Sequence, residues 1–299
     1  DLPRAQWAAR AVAAHLPPAP AAPAAEGTGE PEDHEGMQSI AEYVPDIFNH
    51  FFHEEATFMP RPTYMESQND INGKMRAILI DWLIEVHMKY RLRPETLFLA
   101  VNLIDRYCSR MSVSRKRLQL VGVVAMLVAA KFEEIEPPRI NDFVYITDNA
   151  YTKEDILQLE CRMLSALAFQ VVCPTPAHFL ERLQRANRCD ERQRELVCYI
   201  LELALLDIQM IKHLPSHLVA AALLLSNELL SRRPVWPTHM VVHTRHAEHA
   251  LRVCAEELRG LLDAAPQCTL QAVRKKYSQE RHHCVARTPL VSARRDGGL

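Results

Sequence analysis

Met75-Arg76-Ala77-Ile78-Leu79-Ile80-Asp81-Trp82-Leu83 opens the stretch that decides the fold, and Lys131-Phe132-Glu133-Glu134-Ile135-Glu136-Pro137-Pro138 closes it. Between them lie two more long apolar-periodic segments with none of the alternation of a strand. Charged residues recur inside these segments: Arg76, Asp81, Asp105 and Lys131, joined downstream by Glu160. A charge in such surroundings is costly unless it is paired. Lys131 and Glu160 are placed either to meet each other or to reach solvent along their stems. The first segment has two apolar arcs. Met75, Ile78, Leu79, Trp82 and Val86 share one face, and Ala77, Ile80, Leu83 and Ile84 another. A helix of this kind is either central in a core or offers one apolar face to a partner, and spacing does not choose between them. The combination points to a helical module whose polar groups serve binding rather than catalysis.

Working outward, the pattern predicts helices almost throughout. The first long helix runs from about Asn72 to Arg91. A second starts at Pro94, a residue suited to a first turn, and reaches Arg110. A third is expected from about Arg115 to Glu134, with Ser114 as its cap and Pro137-Pro138 as its stop. A short helix follows near Ile140–Ile146, and Thr152 with Asp155 gives a capping box for the next. Cys173-Pro174-Thr175-Pro176 reads as a domain boundary. Beyond it, helices are expected at about 176–187, 190–211, 215–231, 237–243, 245–263 and 268–278. Val121–Ala130 resembles Leu218–Asn227; each is apolar on all sides with small residues interleaved, and each is the third long helix of its half. Two related all-α units result, each with a central helix that others approach closely.

Upstream, Ile40, Tyr43, Ile47, Phe48, Phe51 and Phe52 mark an N-terminal helix ended by Met59–Pro62. The expected divisions are a disordered Ala/Pro/acidic segment (1–36), the N-terminal helix and linker (37–72), a first helical unit (73–173), a second (174–278) and a basic tail (279–299). Residues 1–36 hold two basic and six acidic residues, and Gln267 to the end holds seven basic and two acidic. Because the chain opens on Asp1, it is expected to be a piece of a longer one.

The net charge of −2 argues against a generic nucleic-acid binder. No apolar run reaches about 18 residues, so no membrane span is expected. The eight cysteines form no CxxC pair and fall mostly in helices, as reduced core thiols do. There is no phosphate loop, no HExxH and no nucleophile elbow, so no cofactor is expected. His239, His243, His246 and His249 are the one metal-like group, but a new helix starting near Thr244 keeps them off a common face, and no metal is expected.

The segments MRAILIDWLIEV, ETLFLAVNLIDRY, RLQLVGVVAMLVAAKFEEIEPP and FVYITDNAYTKEDI resemble the cyclin box of mitotic A/B-type cyclins. The match is nearly ungapped from about Tyr43 to Phe179 and looser to about Leu290. LELALLDIQM and KKYSQERHH look B-type. The resemblance implies two tandem five-helix cyclin boxes preceded by an N-terminal helix. It also implies a non-catalytic regulatory subunit that activates a mitotic-type cyclin-dependent kinase at G2/M, in nucleus and cytoplasm. By resemblance, Lys131 and Glu160 pair to support kinase binding. Phe132, Glu133, Glu134, Leu164 and Phe169 face the kinase, with Ile47 from the N-terminal helix. Arg76 and Asp105 form a second, internal pair. Met75, Ile78, Leu79, Trp82, Leu118 and Gln119 line a groove for Arg-x-Leu substrates and inhibitors, where Glu85 meets the ligand's arginine. A carboxylate at Glu85 is the more A-like choice, which leaves A-type against B-type open. The Arg-x-x-Leu degradation signal usual in the family is absent from residues 1–36. A DNA-binding transcription factor of the same fold would show a basic face and a zinc ribbon, and an all-helical hydrolase would need a base beside its histidines; this chain has neither.

Overall fold

The computed structural model describes residues 34–287, with side chains from Glu42 onward. Nearly all of the acidic segment expected over 1–36 therefore lies outside the described residues. Twelve α-helices and four short 3-10 turns make up the described chain, with no strand.

Helix α1 (His34–Glu54) starts a few residues before the expected position and runs through Pro45, a proline the sequence reading did not use as a break. Its apolar stripe docks on the second half of the chain. Phe48, Phe51 and Phe52 surround Phe179, with ring centroids 5.1–6.1 Å away. The guanidinium groups of Arg182 and Arg245 lie over Phe48 and Phe52.

The first half comprises α2 (Gly73–Tyr90), α3 (Pro94–Cys108), α4 (Arg115–Glu133), α5 (Ile140–Ile146) and α6 (Lys153–Ala166). Local chemistry sets their ends. Asn72 Oδ1 accepts from Met75 N, and Pro94 occupies the first turn of α3. Thr152 and Asp155 close the expected capping box. Ser114 does not cap α4 with its side chain; Asp70, in the preceding linker, accepts from Arg115 N instead. Helix α4 is buried on every side from Leu118 to Ala130 and packs on α2, α3 and α6. It comes so near α2 that a Cβ on Gly122 would stand 2.7 Å from Leu79 Cδ1, which is why glycine fits there.

The second half repeats the plan with α7 (Pro176–Ala186), α8 (Glu191–Leu206), α9 (Pro215–Leu229), α10 (Thr238–Thr244) and α11 (Glu248–Ala264). Here α9 is the central helix, against α7, α8 and α11. Its N-terminus receives the carboxylate of Glu55, which follows α1. Ser216 N donates to Glu55 Oε2 at 2.8 Å and Ser216 Oγ to Oε1 at 2.6 Å. Burial raises the pKa of Glu55, and the two Ser216 bonds oppose that rise.

Helix α12 (Ala272–Tyr277) joins the halves by packing on both α2 and α8. Lys276 Nζ and Tyr277 Oη both donate to buried Glu202, at 2.5 and 2.7 Å. The expected basic tail is corrected over residues 279–287. Val285 is buried, and His282 Nδ1 lies 2.7 Å from Glu195 Oε2 on α8. This part of the tail is therefore docked on α8; residues 288–299 lie outside the description.

Candidate functional site

The two expected ion pairs both form. Lys131 Nζ donates to Glu160 Oε1 at 2.7 Å, tying the last turn of α4 to the middle of α6. Glu160 is nearly buried while half of the Lys131 side chain is open, so the pair is a surface-edge brace rather than a core bond. Arg76 and Asp105 are both buried and meet in a fork, with Nε–Oδ1 at 2.6 Å and Nη2–Oδ2 at 2.7 Å. Tyr64 Oη donates to the same Oδ1 at 2.7 Å, and Arg76 Nη1 reaches Leu205 O, across the domain boundary, at 2.9 Å. Burial works against the Arg76 charge, and the Asp105 carboxylate outweighs it, leaving its pKa raised.

Large apolar side chains stand in solvent beside the Lys131–Glu160 brace. Phe132 follows Lys131 directly, and Ile135, just past the end of α4, is 97 % exposed. Phe169 (69 %) and Val172 (67 %) stand in the segment leaving α6. Ile47 and Tyr43 are exposed on α1, and Leu164 is partly buried. Ile135, Val172 and Tyr43 were not among the expected contacts. The signal for Ile135 was an isoleucine between acids, just ahead of two prolines.

Phe169 is held there at a cost. Ala168 and Phe169 both take positive φ, 51° and 57°. A left-handed backbone is unfavourable for a bulky side chain. Phe169 N donates to Leu164 O at 2.8 Å, closing the end of α6 and aiming the ring outward. Strain of this kind accompanies functional positions.

Glu134 departs from expectation. Its Oε1 accepts from Arg93 N at 2.7 Å and from Thr96 Oγ1, so it caps the start of α3 and does not point outward. Glu133 is half-buried, and burial, reinforced by Glu95, raises its pKa.

The expected groove on α2 is only partly a surface. Met75, Ile78 and Glu85 are half-buried and reachable. Trp82, Leu118 and Gln119 are nearly covered. Leu79 is completely buried against Gly122, so it is a core residue and not a groove contact. The i, i+4 spacing of Met75 and Leu79 put both on one face; the close approach of α4 covers the second. Glu85 lies 3.7 Å from Lys275. Asp81 Oδ1 accepts from Ala272 N at 2.9 Å, and burial lifts its carboxyl to about 6.

The four histidines of the 239–249 stretch do not converge. His239 Nε2 bonds Ala186 O, His249 is exposed, and His246 turns toward His217. None of the eight cysteines forms a disulfide. Among the described residues no helix is long and apolar enough to cross a membrane.

Comparison with known proteins agrees with this architecture. The profile of the cyclin N-terminal domain matches residues 46–172, and that of the cyclin C-terminal domain residues 174–290. A cyclin-B2-2 from Oryza sativa subsp. indica is 42 % identical over 250 residues, 84 % of this chain and 60 % of the relative. A G2/mitotic-specific cyclin-B from Marthasterias glacialis is 42 % identical over 82 % of this chain and 63 % of its own length. A G2/mitotic-specific cyclin-A from Patella vulgata is 39 % identical over 86 % and 61 %. The chain thus spans about three fifths of the length of these curated relatives. In fold, it superposes on a viral cyclin from herpesvirus saimiri with a TM-score of 0.64 at 20 % identity, covering 72 % of this chain and 97 % of that one. The all-helical fold, the central helix of each half and these matches lead to one conclusion: the chain belongs to the cyclin family.

Proposed function

We propose that this chain is the regulatory subunit of a mitotic-type cyclin-dependent Ser/Thr kinase and acts in nucleus and cytoplasm at G2/M. The observation that carries the proposal is the exposed apolar set beside the Lys131–Glu160 brace: Phe132, Ile135, Phe169 and Val172, standing in solvent on a rigid frame. Apolar area of this kind marks a partner surface. A helical partner laid against it gains contacts only in the conformation that presents its own apolar face. The chain therefore binds the active kinase conformation preferentially and shifts that population. In chemical terms, a mobile kinase helix is swung inward so that its glutamate pairs with the lysine that holds ATP phosphates.

Substrate recruitment through an Arg-x-Leu groove is the second part of the proposal. Met75 and Ile78 are its accessible apolar contacts, and Glu85 is its acid. An incoming arginine competes with Lys275 for Glu85.

The test is a rate assay of histone phosphorylation by an activation-loop-phosphorylated, monomeric cyclin-dependent kinase with the chain added. A large rise, lost with Glu160→Ala while the variant stays folded, supports activation. Full activation by folded Glu160→Ala refutes the role of the brace. For the groove, Met75→Ala with Ile78→Ala should slow Arg-x-Leu substrates and spare a short peptide without the motif; equal losses on both refute docking there.

A further inference from the structure

The histidines of the second half assemble a site that the sequence order hides. His213 lies in the turn before α9, His217 in the first turn of α9, and Cys254 and Glu257 one turn apart on α11. One donor atom from each of His213, His217 and Cys254 lies within 4.8 Å of the other two. Donors around a tetrahedral zinc ion are separated by about 3.3–3.7 Å, given bonds of about 2.0–2.3 Å. The three side chains are therefore within a small rotamer adjustment of ligating geometry.

Two independent features point to a ligand. First, Glu257 Oε2 lies 2.6 Å from His213 Nε2, and Lys212 Nζ holds the other carboxylate oxygen at 2.6 Å. A carboxylate on one ring nitrogen is the usual outer support of a metal-bound histidine. Second, His246 Nε2 is buried with no hydrogen-bond partner. Its ring stands edge-on to His217, with centroids 4.8 Å apart, and its backbone is pinned by Trp236 and Thr244. A buried nitrogen without a partner is costly. Three imidazoles crowd together here: His213 and His217 stack at 5.5 Å, and His246 completes the group.

We propose that His213, His217 and Cys254 bind one Zn2+, with Glu257 orienting His213 and the His246 ring packed edge-on against His217. Two imidazole nitrogens and a thiolate form a borderline-soft set that suits Zn2+ and disfavours Mg2+ and Ca2+. As the Zn–S bond forms, the Cys254 thiol gives its proton to solvent. A bound Zn2+ ion favours the thiolate form of a coordinating cysteine. The role is structural: the ion ties the start of the central helix α9 to α11. It is independent of the kinase proposal.

The experiment uses the full chain, stripped with a chelator and titrated with Zn2+ against a chromophoric competitor, then with Co2+. One equivalent should bind and raise the unfolding midpoint, and Co2+ should give a thiolate-to-cobalt charge-transfer band. Cys254→Ser should abolish that band. His213→Ala should weaken binding strongly, and Glu257→Gln should weaken it about 10–100-fold. His239→Ala with His243→Ala should change nothing. Should Cys254→Ser misfold, the half-buried His213→Ala carries the test by affinity alone. The proposal is overturned if the folded wild-type chain binds no Zn2+, or if the band persists in Cys254→Ser, or if His213→Ala binds as tightly as wild type.

Discussion

Replacing Arg76 by Met strands the Asp105 carboxylate in a buried site. The change removes the two-bond fork at 2.6 and 2.7 Å and the 2.9 Å bond to Leu205 O. Only the Tyr64 hydroxyl then remains on Asp105. Removing one partner of a buried pair costs about 3–5 kcal/mol, chiefly because an uncompensated charge is left behind. The bared Leu205 carbonyl accounts for about 1–3 kcal/mol of that. The expected fall in the thermal midpoint is roughly 6–20 °C. Asp105→Asn should cost a similar amount by stranding the guanidinium. The double variant Arg76→Met with Asp105→Asn separates pairing from packing, because it leaves no buried charge. Its loss should be close to that of either single variant, giving a coupling of about 2 kcal/mol or more. The assay is urea and thermal unfolding of all four proteins. Single losses below about 1 kcal/mol, or additivity within about 0.5 kcal/mol, would refute the claim that the two charges act as one unit.

Gly122→Ala places a methyl 2.7 Å from Leu79 Cδ1 and should cost about 1–3 kcal/mol by overpacking, read from the same unfolding curves. Phe169→Gly relieves the left-handed backbone and should stabilise the chain by about 1 kcal/mol while weakening kinase binding; a loss in both would count against strain. Asp81 holds its proton up to about 6 when folded, against 3.8 ordinarily, through burial with Glu85 adding and Lys275 opposing. The folded state thus binds more protons across that window, and the stability contributed by this group falls as pH rises through it. Asp81→Asn keeps an acceptor for Ala272 N, so it should match wild type below about pH 4 and exceed it above about pH 6. An unchanged gap between pH 4 and 7 would remove Asp81 from the account.

What could be read in the sequence was what local chemistry writes. Asn72, Pro94, Thr152 and Pro176 each start a helix through a bond or ring constraint within one turn, and each helix begins where those residues stand. Ser114 misled because a better acceptor, Asp70, comes from outside that turn. Pairings across long separations left no local trace. Glu202 with Lys276, and Glu55 with Ser216, are contacts that no periodicity announces. For the site, charges in apolar helices marked the residues of the brace and the internal fork, while their pairing was implied by the resemblance. The burial of Leu79 was not legible, because two residues on one helical face differ in burial once a glycine lets the next helix approach. Glu134, placed toward the kinase by the resemblance, is claimed instead by a free helix N-terminus that is close in space and distant in sequence. The grouping of His213 and His217 with Cys254 crosses from the start of α9 to α11, which no single stretch of sequence displays.

The bond from Glu55 to Ser216 also has a meaning in time. The two residues are 161 positions apart, so a ribosome making roughly 5–20 residues per second needs about 8–30 s to deliver the acceptor helix after the acid has emerged. For that interval the phenylalanines of α1 have no Phe179 or α9 to rest on, and they are open to chaperones and proteases. A nascent chain stalled before Pro215 should be cut within α1, and one released after α9 should resist. The N-terminal helix is thus made well before the half it rests on, and it waits in the open until that half has folded.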